Sequence, residues 1–210
     1  MKVKICGNTN REDAQLAAGF GADFLGLIFA ESKRKISLDQ AREIKGGLPD
    51  FESFVGVFSN QPKTDVEKIA AELQLNYLQF HGDETALYCR HFTDQGYKVI
   101  KTFHVRDAMS VKRMDAYDTE YFLLDTYSAN ERGGTGKTFD WHLLDEGPLM
   151  REKLFLAGGL NCDNVRQAVQ HIRPFAVDVA SGVEKTPGQK SPDFVEKFIR
   201  LAKSVPHHAA

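Results

Sequence analysis

The sequence predicts a closed (β/α)8 barrel, an α/β fold of the TIM type, formed by a single domain over residues 1–210. Three observations carry this. Eight short apolar runs recur along the chain, amphipathic stretches stand between them, and 210 residues shared among eight runs leave about 26 each, enough for one strand, one helix and two short loops. Strict alternation of strand and helix makes the strands parallel, and eight such units close into a barrel. An open doubly wound sheet is the competing architecture, but it usually has fewer strands at this length.

The runs, in order, are "VKIC" (3–6), "DFLGLIF" (23–29), "SFVGVF" (53–58), "NYLQFH" (76–81), "KVIKTF" (98–103), "EYFLLD" (120–125), "KLFLAG" (153–158) and "FAVDVA" (175–180). Helical spacing of three and four marks "REDAQLAAGFG", "LDQAREIKGGL", "DVEKIAAELQL", "CDNVRQAVQHI" and the final "SPDFVEKFIRLAKSV". The stretch "TYSANERGGTGKTFDW" (126–141) interrupts the pattern with glycine and polar residues, and reads as a mobile loop followed by a short helix. No domain boundary or low-complexity segment stands out.

Apolar residues make up 42% of the chain and charged residues 27%, the composition of a soluble globular protein. The net charge of -2 offers no basic field for nucleic acid or an anionic membrane, so an anionic ligand has to be held by local donors. Cys6, Cys89 and Cys162 are odd in number and far apart, which argues against a disulfide framework and for a reducing compartment. The sequence shows neither the apolar run and cleavage site of a signal peptide nor a run of transmembrane length, and the expected location is the cytoplasm.

In such barrels the active site lies at the carboxyl ends of the strands. There the sequence puts Cys6 at the end of the first run, Arg34 after the second, Gln79 and His81 in the fourth, Asp125 at the end of the sixth, and Asp178 in the eighth. Each has an ordinary alternative. Cys6 can be a small hydrophobe, His81 a core histidine, Asp125 a turn residue, Arg34 a solvated charge in Lys33–Lys35, and Asp178 the partner of a buried base. Their placement together favours a site.

Gly158 ends the seventh run and Gly159 follows it, with Asn161 as the expected helix cap, and Ser181 and Gly182 follow the eighth. Loops after strands 7 and 8, with a helix N-terminus, are the common phosphate site of these barrels, because glycine lets backbone N–H groups approach the oxygens. "GGTGKT" (133–138) resembles the end of a Walker A loop, but that motif needs glycine where Glu131 stands, so the segment reads as an active-site lid. No Cys-x-x-Cys or His-x-x-x-His spacing announces a metal, and His207–His208 reads as a frayed tail.

The words "KICGNT", "GADFLGLIF", "SKRKIS", "GVFSN", "QFHGDE", "LLD", "GGTGKTFDW", "LAGGL" and "VDVASGVEKTPGQK" occur in this order over nearly the whole chain. As a set they resemble the phosphoribosylanthranilate isomerases of tryptophan biosynthesis, which are (β/α)8 enzymes. The resemblance implies an Amadori rearrangement of N-(5-phosphoribosyl)anthranilate, an aminoaldose phosphate, to an aminoketose phosphate. It assigns Asp125 as the general acid that protonates the furanose oxygen and Cys6 as the general base that removes the C2 proton. Arg34 corresponds to the arginine that holds the anthranilate carboxylate, His81 to the pocket histidine, and Gly158, Gly159, Ser181 and Gly182 to the phosphate loops. Asp178 joins the substrate-binding set. No redox change occurs, so no cofactor is expected, and a protonated substrate nitrogen takes the place of a metal as electron sink.

A thiol is an unusual base, with a reference pKa of about 8.5. Lys4 shares parity with Cys6 and points into the barrel about 7 Å lower. It either favours the thiolate or serves as plain filler of the barrel. Three positions depart from the family pattern. Asn8 stands for isoleucine, Lys33 for a proline that would stiffen the loop carrying Arg34, and Ala180 for the first residue of a serine pair.

Two other readings compete. A histidine-pathway aminoaldose isomerase is also a barrel but places aspartate where Cys6 stands. A non-catalytic phosphate-binding barrel has no use for both Cys6 and Asp125. The partner expected is a small-molecule substrate, with no nucleic acid or membrane, in a monomer or homodimer.

Overall fold

The structure, a computed structural model, describes residues 1–126, 141 and 150–205. The proposed lid, including "GGTGKT", and the His207–His208 tail lie outside the described residues. Eight parallel strands form a closed barrel in chain order: β1 Lys2–Ile5, β2 Phe24–Ile28, β3 Phe54–Phe58, β4 Tyr77–Phe80, β5 Lys98–Val105, β6 Tyr121–Thr126, β7 Leu154–Leu156 and β8 Ala176–Val179. β8 pairs with β1, with Lys4 opposite Asp178, and this contact closes the ring. All eight apolar runs are strands.

Each strand has two buried faces, so its residues read as continuous apolar runs. Val3, Ile5, Leu25 and Leu27 point outward to the helices and join the large layer between strands and helices. Residues of opposite parity, among them Phe24, Val55, Val57, Ile100, Leu123, Phe155 and Ala176, fill the barrel interior. Aromatic rings from the strand starts and the segment before β8 close the lower end. Phe24 packs edge-on against Tyr77 and Phe155, each at 5.3 Å, and Tyr121 stacks on Phe175 at 4.9 Å. Polar inward residues therefore gather at the opposite, carboxyl end.

The helices are α1 Arg11–Gly19, α2 Leu38–Gly46, α3 Lys63–Glu72, α4 Ala86–Thr93, α5 Ala108–Lys112, α6 Val165–Ile172 and α7 Pro192–Lys203. Their starts follow capping chemistry. The Asn10 side chain accepts from the Asp13 N–H, Ser37 and Gln40 form a capping box, and Ser191 caps α7 ahead of Pro192. The helical spacing in the sequence does not single out α4, which buries Cys89 and Phe92 but leaves Leu87 facing solvent. α5 is too short for periodicity to show.

One element has no counterpart in the apolar runs. After β8, residues Glu184–Thr186 (β9) and Gln189–Lys190 (β10) form a small antiparallel hairpin. It folds over the top of β1 and carries two charged side chains into the site.

Candidate active site

One cavity at the carboxyl end is lined by Cys6, Arg34, Gln79, His81, Asp125, Gly158, Gly159, Asp178, Ala180 and Ser181, among others. Strand parity explains the convergence. Cys6 continues the inward row of Lys4, Gln79 continues to His81, and Asp125 continues from Leu123.

On the β4–β6 side, Asp125 is nearly buried. Its Oδ1 accepts the backbone N–H of Thr126 at 2.7 Å, and its Oδ2 lies 3.3 Å from His81 Nε2. The Gln79 amide contacts His81 Nδ1 at 3.0 Å and Thr102 Oγ1 at 3.3 Å. With the amide nitrogen donating to Nδ1, the imidazole carries its proton on Nε2, toward the carboxylate. Gln79 is the residue that orients His81, and its shared parity was the signal for it.

Across the cavity, Cys6 follows β1, its N–H donating to the Val179 carbonyl at 2.8 Å. A Cβ on Gly26 would stand 2.6 Å from the Cys6 sulfur, so glycine in β2 makes the room for the thiol. Lys4 lies below, fully buried, with Nζ donating to Asp178 Oδ1 at 2.9 Å. This qualifies the reading in which Lys4 favours the thiolate. Burial pushes the Cys6 thiol above its ordinary range. Lys4 opposes the rise, and the Asp178 carboxylate adds to it. The Lys4 ammonium, which burial alone would lower, is held up by Asp178 and Cys6. Lys4 favours the thiolate, but Asp178 shares it and desolvation outweighs it.

Arg34 does not stand alone either. Its Nε and Nη2 donate to the two carboxylate oxygens of Glu184, each at 2.7 Å, in a bidentate pair. Lys190 Nζ donates to Glu184 Oε1 at 2.9 Å and to the Cys6 carbonyl at 2.6 Å. Glu184 and Lys190 are thus supporting residues that the strand-end survey missed. They lie on the β9–β10 hairpin, and their only trace in the sequence is the motif "VEKTPGQK". The loop holding Arg34 keeps its turn without proline at position 33. The Arg34 N–H bonds Ser32 Oγ at 3.0 Å and the Lys35 N–H bonds the Ser32 carbonyl at 3.2 Å. Asn8 donates its side-chain amide to the Ile5 and Gly26 carbonyls and ties β1 to β2.

The loops after β7 and β8 meet at the far wall. Gly158 and Gly159 have φ of +86° and +66°, left-handed backbone that favours glycine. Ser181 lines the cavity at the start of a short 3-10 turn, Ser181–Val183. Gly182 is not a lining residue. A Cβ there would overlap the Leu160 carbonyl, so this glycine lets the two loops approach. The expected cap also moves. α6 starts at Val165 with Asn164 in the cap position, and Asn161 instead accepts the Asp163 N–H in a preceding turn.

Known proteins resemble this chain in sequence and in fold. The family model for N-(5'-phosphoribosyl)anthranilate (PRA) isomerase matches residues 3–201. A protein of Desulforamulus reducens named N-(5'-phosphoribosyl)anthranilate isomerase is 41% identical over 209 residues, covering 100% of this chain and 98% of its own. The crystal structure of phosphoribosyl anthranilate isomerase from Thermotoga maritima superposes with a TM-score of 0.89 at 42% identity, covering 98% of this chain and 100% of that one. A structure of the enzyme in complex with reduced 1-(o-carboxyphenylamino)-1-deoxyribulose 5-phosphate gives a TM-score of 0.86 at 41% identity, with the same coverage. The chain belongs to the phosphoribosylanthranilate isomerase family.

Proposed function

We propose that this chain converts N-(5'-phosphoribosyl)anthranilate to 1-(o-carboxyphenylamino)-1-deoxyribulose 5-phosphate, with Asp125 as general acid and Cys6 as general base. The observation that carries the reading is that a carboxyl and a thiol line one cavity from β6 and β1, with β7 and β8 between them. Opening a ring and then moving a proton between neighbouring carbons needs an acid at one end of the bond system and a base at the other.

Asp125 gives its proton to the furanose oxygen as the C1–O bond breaks, and the nitrogen lone pair forms the C=N bond of a protonated Schiff base. Cys6 then takes the C2 proton, and the C–H electron pair moves into a C1–C2 double bond as the nitrogen becomes neutral. The resulting enolamine tautomerises to the ketone. Cys6 takes this proton as the thiolate, a form that burial opposes and that Lys4, shared with Asp178, favours in part, the positive charge of the Schiff base adding to it.

Arg34 holds the anthranilate carboxylate, oriented by Glu184. His81 and Asp178 flank the reacting carbons, and backbone donors of Gly158, Gly159 and Ser181 take the phosphate, with Gly182 fixing the loop. No metal or redox cofactor enters these steps. All of these groups come from one chain, and three free cysteines suit a reducing cytoplasm.

The test follows anthranilate fluorescence, with phosphoribosylanthranilate generated in situ and purified protein added. Rapid loss of signal with wild type and not with Cys6→Ser is the expected result. Equal loss with both proteins would remove Cys6 from the reaction, and no loss with either would remove the activity.

A further inference from the structure

Among the described residues, His81, His104 and Asp125 bring two imidazoles and a carboxylate together, each offering one donor atom within 4.8 Å of the others. They come from three neighbouring strand ends. His104 lies opposite Asp125 in the β5–β6 register, and its ring stands 5.1 Å from that of His81 at 74°. We propose that these three side chains bind a divalent cation of the zinc class and that this cation inhibits the enzyme.

The geometry is close to what such an ion takes. Bonds of about 2.0–2.1 Å in a tetrahedral site separate two ligand atoms by about 3.4 Å. His81 Nε2 and Asp125 Oδ2 are already 3.3 Å apart. The third donor, on His104, lies within 4.8 Å of the other two, and its ring has to leave a hydrogen bond with the His81 backbone to bind. Two nitrogens and one carboxylate oxygen suit zinc, cobalt or nickel, whereas magnesium and calcium prefer oxygen ligands throughout.

Outer contacts support the set. A ligating imidazole donates its remaining N–H to a neighbouring acceptor. The Gln79 amide lies 3.0 Å from His81 Nδ1, and Gln79 Oε1 is buried without a partner. Turning that amide by 180° puts the oxygen against Nδ1–H and leaves the Nε2 lone pair facing Asp125. The β4–β6 backbone is fixed by barrel pairing, so binding needs only side-chain movement. None of the donors is spaced as a metal motif in the sequence, because the barrel alone brings them together.

Binding needs no assumption about the reaction. Inhibition rests on the proposed role of Asp125, since a carboxylate bound to metal has no proton to give the furanose oxygen. His104 does not line the substrate cavity, so its removal separates the two.

The experiment uses chelator-treated full-length protein. Co2+ serves as the spectroscopic probe of binding, and Zn2+ titration of turnover, with EDTA reversal, reads inhibition. Wild type is expected to bind one Co2+ with the visible bands of a four-coordinate site and to lose turnover with Zn2+. His104→Ala and the better-filling His104→Asn are expected to keep turnover within about twofold, lose the Co2+ bands and raise the Zn2+ midpoint at least tenfold. Absence of Co2+ bands in wild type, or an unchanged Zn2+ midpoint in both variants, overturns the site. A protein that binds Co2+ as described but never turns over keeps the site and overturns the proposed reaction instead.

Discussion

Lys4 Nζ lies 2.9 Å from Asp178 Oδ1, across the β1–β8 register that closes the barrel. Both side chains are inside the ring, so the pair joins the first strand to the last and sets the charge beneath Cys6. Removing Lys4 leaves the Asp178 carboxylate buried without this partner. Lys4→Met is expected to cost about 3 kcal/mol of stability. It is also expected to move the pH profile of Cys6 alkylation further upward, because a cation is lost while Asp178 remains. Denaturant unfolding and rates of iodoacetamide modification measure the two effects. The double variant Lys4→Met/Asp178→Asn recovers part of the stability. A profile that does not move excludes Lys4 from control of the thiol.

Asp125→Asn and Cys6→Ser are each expected to lower turnover by about 10²-fold or more, the usual scale for a lost proton-transfer group. Both side chains border the cavity, although Cys6 also belongs to the buried inner cluster, and both replacements are close in size, so the unfolding midpoint stays close to wild type. Steady-state kinetics beside thermal unfolding separates these outcomes. Wild-type turnover in either variant refutes the role given to that residue.

Gly26→Ala acts on the same thiol from the neighbouring strand. The new methyl would meet the Cys6 sulfur at 2.6 Å and its Cα at 3.0 Å, so the thiol has to shift. Overpacking of this kind costs about 1–3 kcal/mol. The expected signature is a fall in kcat larger than the change in KM, since the base moves while the substrate anchors stay. An unchanged kcat shows that Cys6 tolerates displacement and is not held to the reacting carbon.

Glu184 gives a prediction with a pH sign. Burial works to raise its pKa, but hydrogen bonds from Arg34 and the charge of Lys190 outweigh it and hold the carboxyl below the ordinary value of 4.5. A group with a lowered folded-state pKa stabilises fully above its unfolded value, and that stability is lost as pH falls through the folded one. Glu184→Gln is therefore expected to be less stable than wild type at neutral pH, with the difference in Tm shrinking below about pH 4. A gap that stays constant down to pH 3 shows that ionised Glu184 is not what holds Arg34 and Lys190.

The same variant bears on binding. Arg34→Ala removes the proposed carboxylate anchor, and Glu184→Gln loosens its orientation. Both are expected to raise KM more than they lower kcat, Arg34→Ala the more strongly. A loss confined to kcat shows that Arg34 does not hold the substrate.

The sequence by itself determined the barrel and the ends of its strands. Burial on both faces writes each parallel strand as an apolar run, and eight runs alternating with amphipathic stretches specify the ring. Their place at the carboxyl ends of the runs made Cys6, His81, Asp125 and Asp178 legible one at a time, and parity set Lys4 on the same side as Cys6. Tertiary structure alone decided how they are paired. Lys4 is shared with Asp178 because closure sets β8 beside β1. Glu184 and Lys190 reach Arg34 and the Cys6 carbonyl because a hairpin after β8 folds back over β1. His104 joins His81 and Asp125 because β5 lies between β4 and β6. These contacts run from 21 residues of chain, His104 to Asp125, up to 184, Lys190 to Cys6, and no local periodicity records them. The upward pull on the Cys6 thiol arises in the same way, since desolvation depends on what surrounds the thiol and not on its neighbours in sequence.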